Sequence, residues 1–232
     1  MTAPQHMVAA WDLPTRLFKW LLTLLVLLAW VSNKYGSAIP HWHIWNGYAI
    51  LMLIVFRVLW GFVGGSTARF SAFSIKPSAA LAYLRAQWRG MKPHYLGHNP
   101  LAAWMVLALL AALAAQAGLG LYSGDEDRIV IEGPLAKTVS DQAVAFAAHW
   151  HRLGFKLILT LVTIHIAAAL AYDLLGKYGL IGAMVTGRKP ADAYQDMQEA
   201  AAGSAAHAML CLLAACAIVF GGIYLLGGNP LQ

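Results

Sequence analysis

Charge is what this sequence has least of. Acidic and basic residues together make up 11% of its 232 residues, against roughly a quarter in soluble domains. That is too little to coat a water-facing surface, so a soluble globular fold is excluded and the surface must face lipid. Cysteine is scarce too. Cys211 and Cys216 sit in one apolar stretch and form neither a CxxC pair nor a CxxCH attachment site, so they read as small buried hydrophobes. There is no dinucleotide fingerprint, no Walker loop and no cysteine set for an iron–sulfur cluster, which leaves the chain little means of oxidising an organic substrate by itself. The N-terminal MTAPQHMVAAWDLP carries no basic region ahead of its apolar stretch, and the first apolar segment reads as a retained helix rather than a signal peptide. The formal charge of +6 does not point to nucleic acid, because an excess of Lys and Arg in a membrane protein marks its cytoplasmic loops.

What is present is apolar: 60% of residues are hydrophobic and the mean hydropathy is +0.61. Nine Trp and nine Tyr suit the membrane interface, where both residue types collect. A spanning helix needs about 20 mostly apolar residues. Segments 15–35, 43–63, 101–122, 148–172 and 204–226 qualify, the fourth being helix-like from Asp141. The intervening stretch 64–100 carries Arg69, Lys76, Arg85, Arg89 and Lys92 with no acidic residue. The next carries Asp125, Glu126, Asp127, Glu132 and Asp141 against Arg128 and Lys137. The asymmetry predicts a cytoplasmic N-terminus, a cytoplasmic 176–203 segment with Lys177, Arg188 and Lys189, and a periplasmic C-terminus. PSAALAYLRAQWR at 77–89 reads as an amphipathic helix at the cytoplasmic interface. No internal repeat and no separate soluble domain is evident.

Nine histidines are many for so apolar a chain, and ionisable groups within spanning helices default to functional candidates. His43 opens the second span, His151 lies near the start of the fourth, and His165 lies deeper in it. The fourteen residues between His151 and His165 correspond to a rise of about 21 Å and return to within about 40° of the same face. One helix therefore offers two imidazoles at two depths, an arrangement suited to two stacked haems with bis-imidazole ligation, His43 partnering His151. Arg57 repeats the fourteen-residue offset from His43; it is either a partner for a haem propionate or a side chain snorkelling to the interface. His41 and His149, each two positions from a candidate, point to other faces. His6, His94 and His98 lie outside the spans.

The strings WDLPTRLFKW (11–20), HIWNGY (43–48), RVLWGFVG (57–64), ARFSAF (68–73), GHNP (97–100), EGPLA (132–136) and MVTGRK (184–189) together resemble the bacterial cytochrome b561 family, which includes the b-type cytochrome subunits of membrane-bound hydrogenases. The resemblance runs from Trp11 to Lys189. It implies an all-α integral membrane fold, a four-helix bundle over 1–190 carrying two b haems, with residues 191–232 adding a linker and a fifth transmembrane helix. It also implies haem ligands from the first, second and fourth helices, the fourth giving two. His43, His151 and His165 match. Where the family has a histidine after Leu-Phe, this chain has Lys19. Three arrangements stand open there: Lys19 ligating iron as a neutral amine, another histidine substituting (His207 first, His98 behind it), or an inner haem that is five-coordinate or absent. Lys19 also fits a snorkelling interfacial lysine.

The resemblance implies an electron-transfer subunit of the bacterial inner membrane rather than a stand-alone enzyme. It would relay electrons between quinone and a periplasmic redox protein, a c-type cytochrome or a dehydrogenase subunit, alone, as a dimer or in a larger complex. Two alternatives stand beside it. One is a free-standing oxidoreductase passing electrons from a small diffusible donor such as superoxide to quinone, with Lys34, Arg152 and Lys156 as the basic residues near the outer haem. The other is a haem-free transporter or membrane scaffold.

Overall fold

The computed structural model describes residues 6–34, 40–124, 132–176 and 178–231. Asp125, Glu126, Asp127, Arg128 and Lys177 lie outside the described residues. A three-residue strand β1 (Met7–Ala9) leads into α1 (Leu13–Lys34), followed by α2 (Pro40–Val63), α3 (Pro77–Trp88), α4 (Pro100–Tyr122), α5 (Asp141–Gly176), α6 (Leu180–Thr186), strand β2 (Arg188–Pro190) and α7 (Ala205–Leu225). Five of these helices, α1, α2, α4, α5 and α7, are long and apolar enough to cross a membrane, and the protein is an all-α multi-pass membrane protein. Their flanks carry ordinary start signals. Asp12 accepts from Thr15 N at 3.0 Å, Asn99 accepts from Ala102 N at 2.8 Å, and prolines stand in the first turns of α1, α3 and α4, where a missing N–H costs nothing. Large apolar side chains such as Leu24, Leu28, Ile166 and Leu213 stay exposed, as lipid-facing surfaces require.

The chain divides into two compact units. The first comprises Met1–Leu17, Val58–Ala108 and Val162–Met209, the second Phe18–Arg57, Leu109–Leu161 and Leu210–Gln232. In the first, β1 pairs antiparallel with β2, Val8 opposite Lys189. Val8, Ala10, Trp11, Leu96 and Ala183 form the core, with Met184, Tyr194 and Met197 packed on it. The Asp12 carboxylate that caps α1 also accepts from Gly65 N at 3.0 Å and Gly203 N at 3.3 Å. One side chain thus ties three separate stretches of backbone. Trp60 is fully buried and donates from Nε1 to Thr15 Oγ1 at 3.2 Å. Gly203 lies against it so closely that a Cβ there would stand 2.4 Å from the indole.

Lys189 is buried as well. Its ammonium donates to the carbonyls of Tyr95 (3.0 Å) and Leu96 (2.9 Å), while Asp196 accepts from Leu96 N and Gly97 N at 2.7 and 2.8 Å. The stretch ahead of α4 is therefore held from both its donor and acceptor sides. Burial lowers the Lys189 pKa from 10.5 to about 8, against the opposing pull of Asp196 and Asp173.

In the second unit, Tyr48, Leu135, Val219 and Ile223 form the core. The last helix, α7, therefore packs on α2, with Phe220 against Tyr48 at a ring separation of 5.7 Å. The EGPLA stretch folds back on the end of α4 through Leu135 N to Leu121 O at 2.9 Å. Gly133 is required there, since a Cβ would meet the Gly120 carbonyl at 2.4 Å.

Two outcomes follow from the first unit. Asp12→Ala removes a helix cap and two further acceptors and is expected to cost about 2–3 kcal/mol, a cap alone being worth about 1; thermal melting in detergent reads it. For Lys189 the unfolded chain binds the extra proton between pH 8 and 10.5, so this group's contribution to stability rises with pH across that window. The melting temperature of the wild type relative to Lys189→Gln should climb from pH 8 to 10, and a flat difference would contradict the burial argument.

Candidate functional site

A spanning helix tolerates polar residues only where they find partners within the protein, and in the second unit Ser32, His43, Asn46, Gln116 and His151 do so around one cavity. His43, near the start of α2, and His151, on α5, come together with ring centroids 6.1 Å apart and planes at 83°. Each ring is tethered through Nδ1. The Ser32 hydroxyl at the end of α1 donates to the Ala29 carbonyl at 3.1 Å, so its oxygen accepts from His43 Nδ1–H at 2.9 Å. His151 Nδ1–H donates to the Gln116 carbonyl of α4 at 2.9 Å, since a carbonyl can only accept. Both imidazoles are thereby fixed in the tautomer that leaves Nε2 with its lone pair.

Gln116 answers His151 a second time, its side-chain Nε2 donating to the His151 carbonyl at 2.9 Å. Gly154, one turn nearer the middle of α5, makes this exchange feasible, because a Cβ there would stand 2.4 Å from Gln116 Oε1. Gly120, one turn beyond Gln116, similarly clears His151, with 3.0 Å from a built Cβ to the ring.

The two rings line a cavity of about 340 Å³ walled by Val26, Ile50, Leu113, Phe155 and Ile158, a size within the usual range of about 300–1,000 Å³ for cofactor sites. Gly47, one turn after His43, also lines it, and a Cβ there would meet nothing within 4 Å, so a flat group can approach the α2 backbone. Asn46 lines it too; its amide donates to the Leu25 carbonyl at 2.9 Å, and its Oδ1 is buried with no hydrogen-bond partner among the described residues. Arg152 and Lys156 add two cations to the wall. The side chain of Lys34 lies outside the described residues.

Two imidazoles that share one metal through Nε2 at about 2 Å have ring centres about 5–6 Å apart. The observed spacing, the free lone pairs and the open, apolar-walled cavity all fit a haem held by His43 and His151.

The other sequence candidates are placed as follows. Lys19 is half-buried on α1 in the second unit, its carbonyl accepting from Thr23 Oγ1 at 2.9 Å. Arg57, at 2% exposure, is buried in the same unit rather than extended to the surface. His165 on α5 and His207 on α7 are exposed residues of the first unit. His98, also in the first unit, is half-buried between Trp11 and Phe73, with ring separations of 4.9 and 4.8 Å. His149 is exposed, its ring against Trp150. Among the described residues no group of three or more His, Cys, Asp or Glu is placed to hold a free metal ion. Ser32, Asn46 and Gln116 were not singled out by sequence, although Gln116 is the lone amide in an otherwise apolar α4, a signal of the same kind as the histidines.

A family model described as prokaryotic cytochrome b561 matches residues 10–187. The chain belongs to this family. It is accordingly a membrane b-type cytochrome of electron transfer, and haem b is the cofactor that goes with it. Relatives include the "Probable Ni/Fe-hydrogenase B-type cytochrome subunit" of Azotobacter chroococcum mcd 1, 23% identical over 79% of this chain and 88% of its own length. That of Rhizobium leguminosarum bv. viciae is 25% identical over 78% and 88%. The "Probable Ni/Fe-hydrogenase 1 B-type cytochrome subunit" of Escherichia coli (strain K12) is 24% identical over 76% and 88%. No solved structure matches the chain.

For this cytochrome b561 chain, Gly120→Val forces a branched side chain into the His151 ring. Haem per chain is expected to fall while the helical circular dichroism of the purified protein is kept; full haem content would show that His151 does not need that clearance.

Proposed function

We propose that the chain relays electrons between a periplasmic redox partner and the quinone pool of the bacterial inner membrane, through haem b held by His43 and His151. The observation that carries this reading is the pair of facing imidazoles, each with Nδ1 tied and Nε2 available, on one cavity wall. Bound there, haem supplies one-electron carriage, and two such transfers with two protons interconvert quinone and quinol. The protein's own part is to fix the two rings, exclude water with Val26, Ile50, Leu113 and Ile158, and offer Arg152 and Lys156 to anionic groups at the cavity. Relatives named as Ni/Fe-hydrogenase cytochrome subunits favour a hydrogenase or similar dehydrogenase as the partner. The charge asymmetry of the loops supports a cytoplasmic N-terminus and a periplasmic C-terminus. A second haem would use His165, with Lys19, His207 and His98 as the candidates for its other ligand and Arg57 as a candidate propionate partner.

Arg152 and Lys156 also favour a second reading, in which a small anionic donor such as superoxide reduces the haem directly. Turnover with quinone by the purified chain alone would support it; dependence on a partner protein supports the relay.

A pyridine haemochrome titration against protein concentration, with a reduced-minus-oxidised spectrum, tests the reading. One or two b haems per chain are expected, with His43→Ala and His151→Ala each losing one. Either variant with full haem would overturn the ligand assignment, and a haem-free wild type would overturn the electron-transfer role in favour of a transporter or scaffold. If two haems are found, Lys19→Ala, His207→Ala and His98→Ala identify the second site's ligand by loss of one.

A further inference from the structure

The two imidazoles at the cavity are tethered by unlike acceptors, and the difference has a chemical consequence. His151 Nδ1–H is accepted by a main-chain carbonyl, that of Gln116 at 2.9 Å, which no side-chain substitution removes. His43 Nδ1–H is accepted by a side-chain hydroxyl, Ser32 Oγ at 2.9 Å, and that hydroxyl spends its own proton on the Ala29 carbonyl at 3.1 Å. Donating its proton to Ala29 polarises the Ser32 oxygen and makes it the better acceptor, since hydrogen bonds in a chain strengthen one another at low dielectric. Ser32 is buried, so water does not compete with this chain.

Resting on the ligand assignment above, the geometry points to Ser32 as a positioning residue that sets the reduction potential of the haem bound by His43. An imidazole that donates from Nδ1 is a stronger ligand through Nε2, and outer partners of this kind tune both metal affinity and potential. A stronger imidazole donor stabilises the oxidised, more positive iron over the reduced one. Removing the acceptor therefore raises the midpoint potential. It also frees the His43 ring to turn about its side-chain torsion, because the hydrogen bond to Ser32 holds the ring at Nδ1. The His151 side lacks this handle, so evolution or engineering can adjust the site through Ser32 without disturbing the Gln116–His151 exchange.

The experiment is a redox titration of the purified, haem-loaded protein, following the spectral component that His43→Ala abolishes, in wild type, Ser32→Ala and Ser32→Thr. Ser32→Ala is expected to keep its haem and to shift the reduction equilibrium roughly tenfold toward the reduced form, about 59 mV upward for one electron. Its oxidised low-spin electron paramagnetic resonance signal should also change with the ring orientation. Ser32→Thr, which restores the hydroxyl, should return both readouts to wild type. If Ser32→Ala loses haem, Ser32→Cys, with a weaker hydrogen-bonding group of similar shape, carries the same expectation. A haem-loaded Ser32→Ala with wild-type potential overturns the proposal and leaves the ligand assignment standing, as does a Thr variant shifted as far as Ala. Wild-type protein without haem overturns both.

Discussion

The hydrogen bonds exchanged by Gln116 and His151 are the constraint on which the site depends. Hydrocarbon offers an imidazole no partner, and a buried unpaired donor costs on the order of 1–3 kcal/mol. The protein meets this by letting a carbonyl of α4 take the ring proton and an amide of α4 take the carbonyl of α5. The result is more than satisfaction of polar groups. It fixes the rotation of α5 about its axis relative to α4 within the second unit, and thereby the direction from which the ring reaches the cavity. Gly120 and Gly154 are consequences of the same contact, since neither the ring nor the amide could come so close past a Cβ.

From there the rest of the unit is arranged around a flat space. Asn46 fastens α2 to the Leu25 carbonyl of α1, Ser32 fastens His43 to α1, and Gly47 leaves the α2 backbone uncovered. Hydrogen bonds at the cavity thus join α1 to α2 and α4 to α5, while the apolar contacts of Tyr48, Val219 and Ile223 hold α7 on α2. The few polar side chains in these helices decide their register, and the many apolar ones supply mass without specificity, because lipid is as apolar as they are.

Much of this was legible in the sequence. The five spans show as long, mostly apolar runs, and α1 and α4 begin beside the Asp12 and Asn99 caps. PSAALAYLRAQWR reads as a helix over 77–89, and α3 spans Pro77–Trp88. His43 and His151 were identifiable as residues that a spanning helix does not carry idly. What stayed hidden depends on contacts between residues far apart in sequence. Nothing in MVA or RKP, three residues each, signals that they pair. Ser32 reads as an ordinary helix-end serine until His43 is placed beside it. Nor does Lys189, one of several basic residues in a cytoplasmic-type segment, show from sequence that it is buried beneath carbonyls 95 and 96.

The short ribbon of Met7–Ala9 with Arg188–Pro190 also imposes an order on biosynthesis. At ribosomal rates of about 5–20 residues per second, Val8 waits roughly ten to forty seconds before Lys189 is made. During that interval the first four long helices are synthesised, and the N-terminal strand has an open edge and no mate. The ribbon is therefore a clasp that closes only after the helices bearing His43 and His151 exist. A chain interrupted before residue 188 would leave β1 without its strand partner.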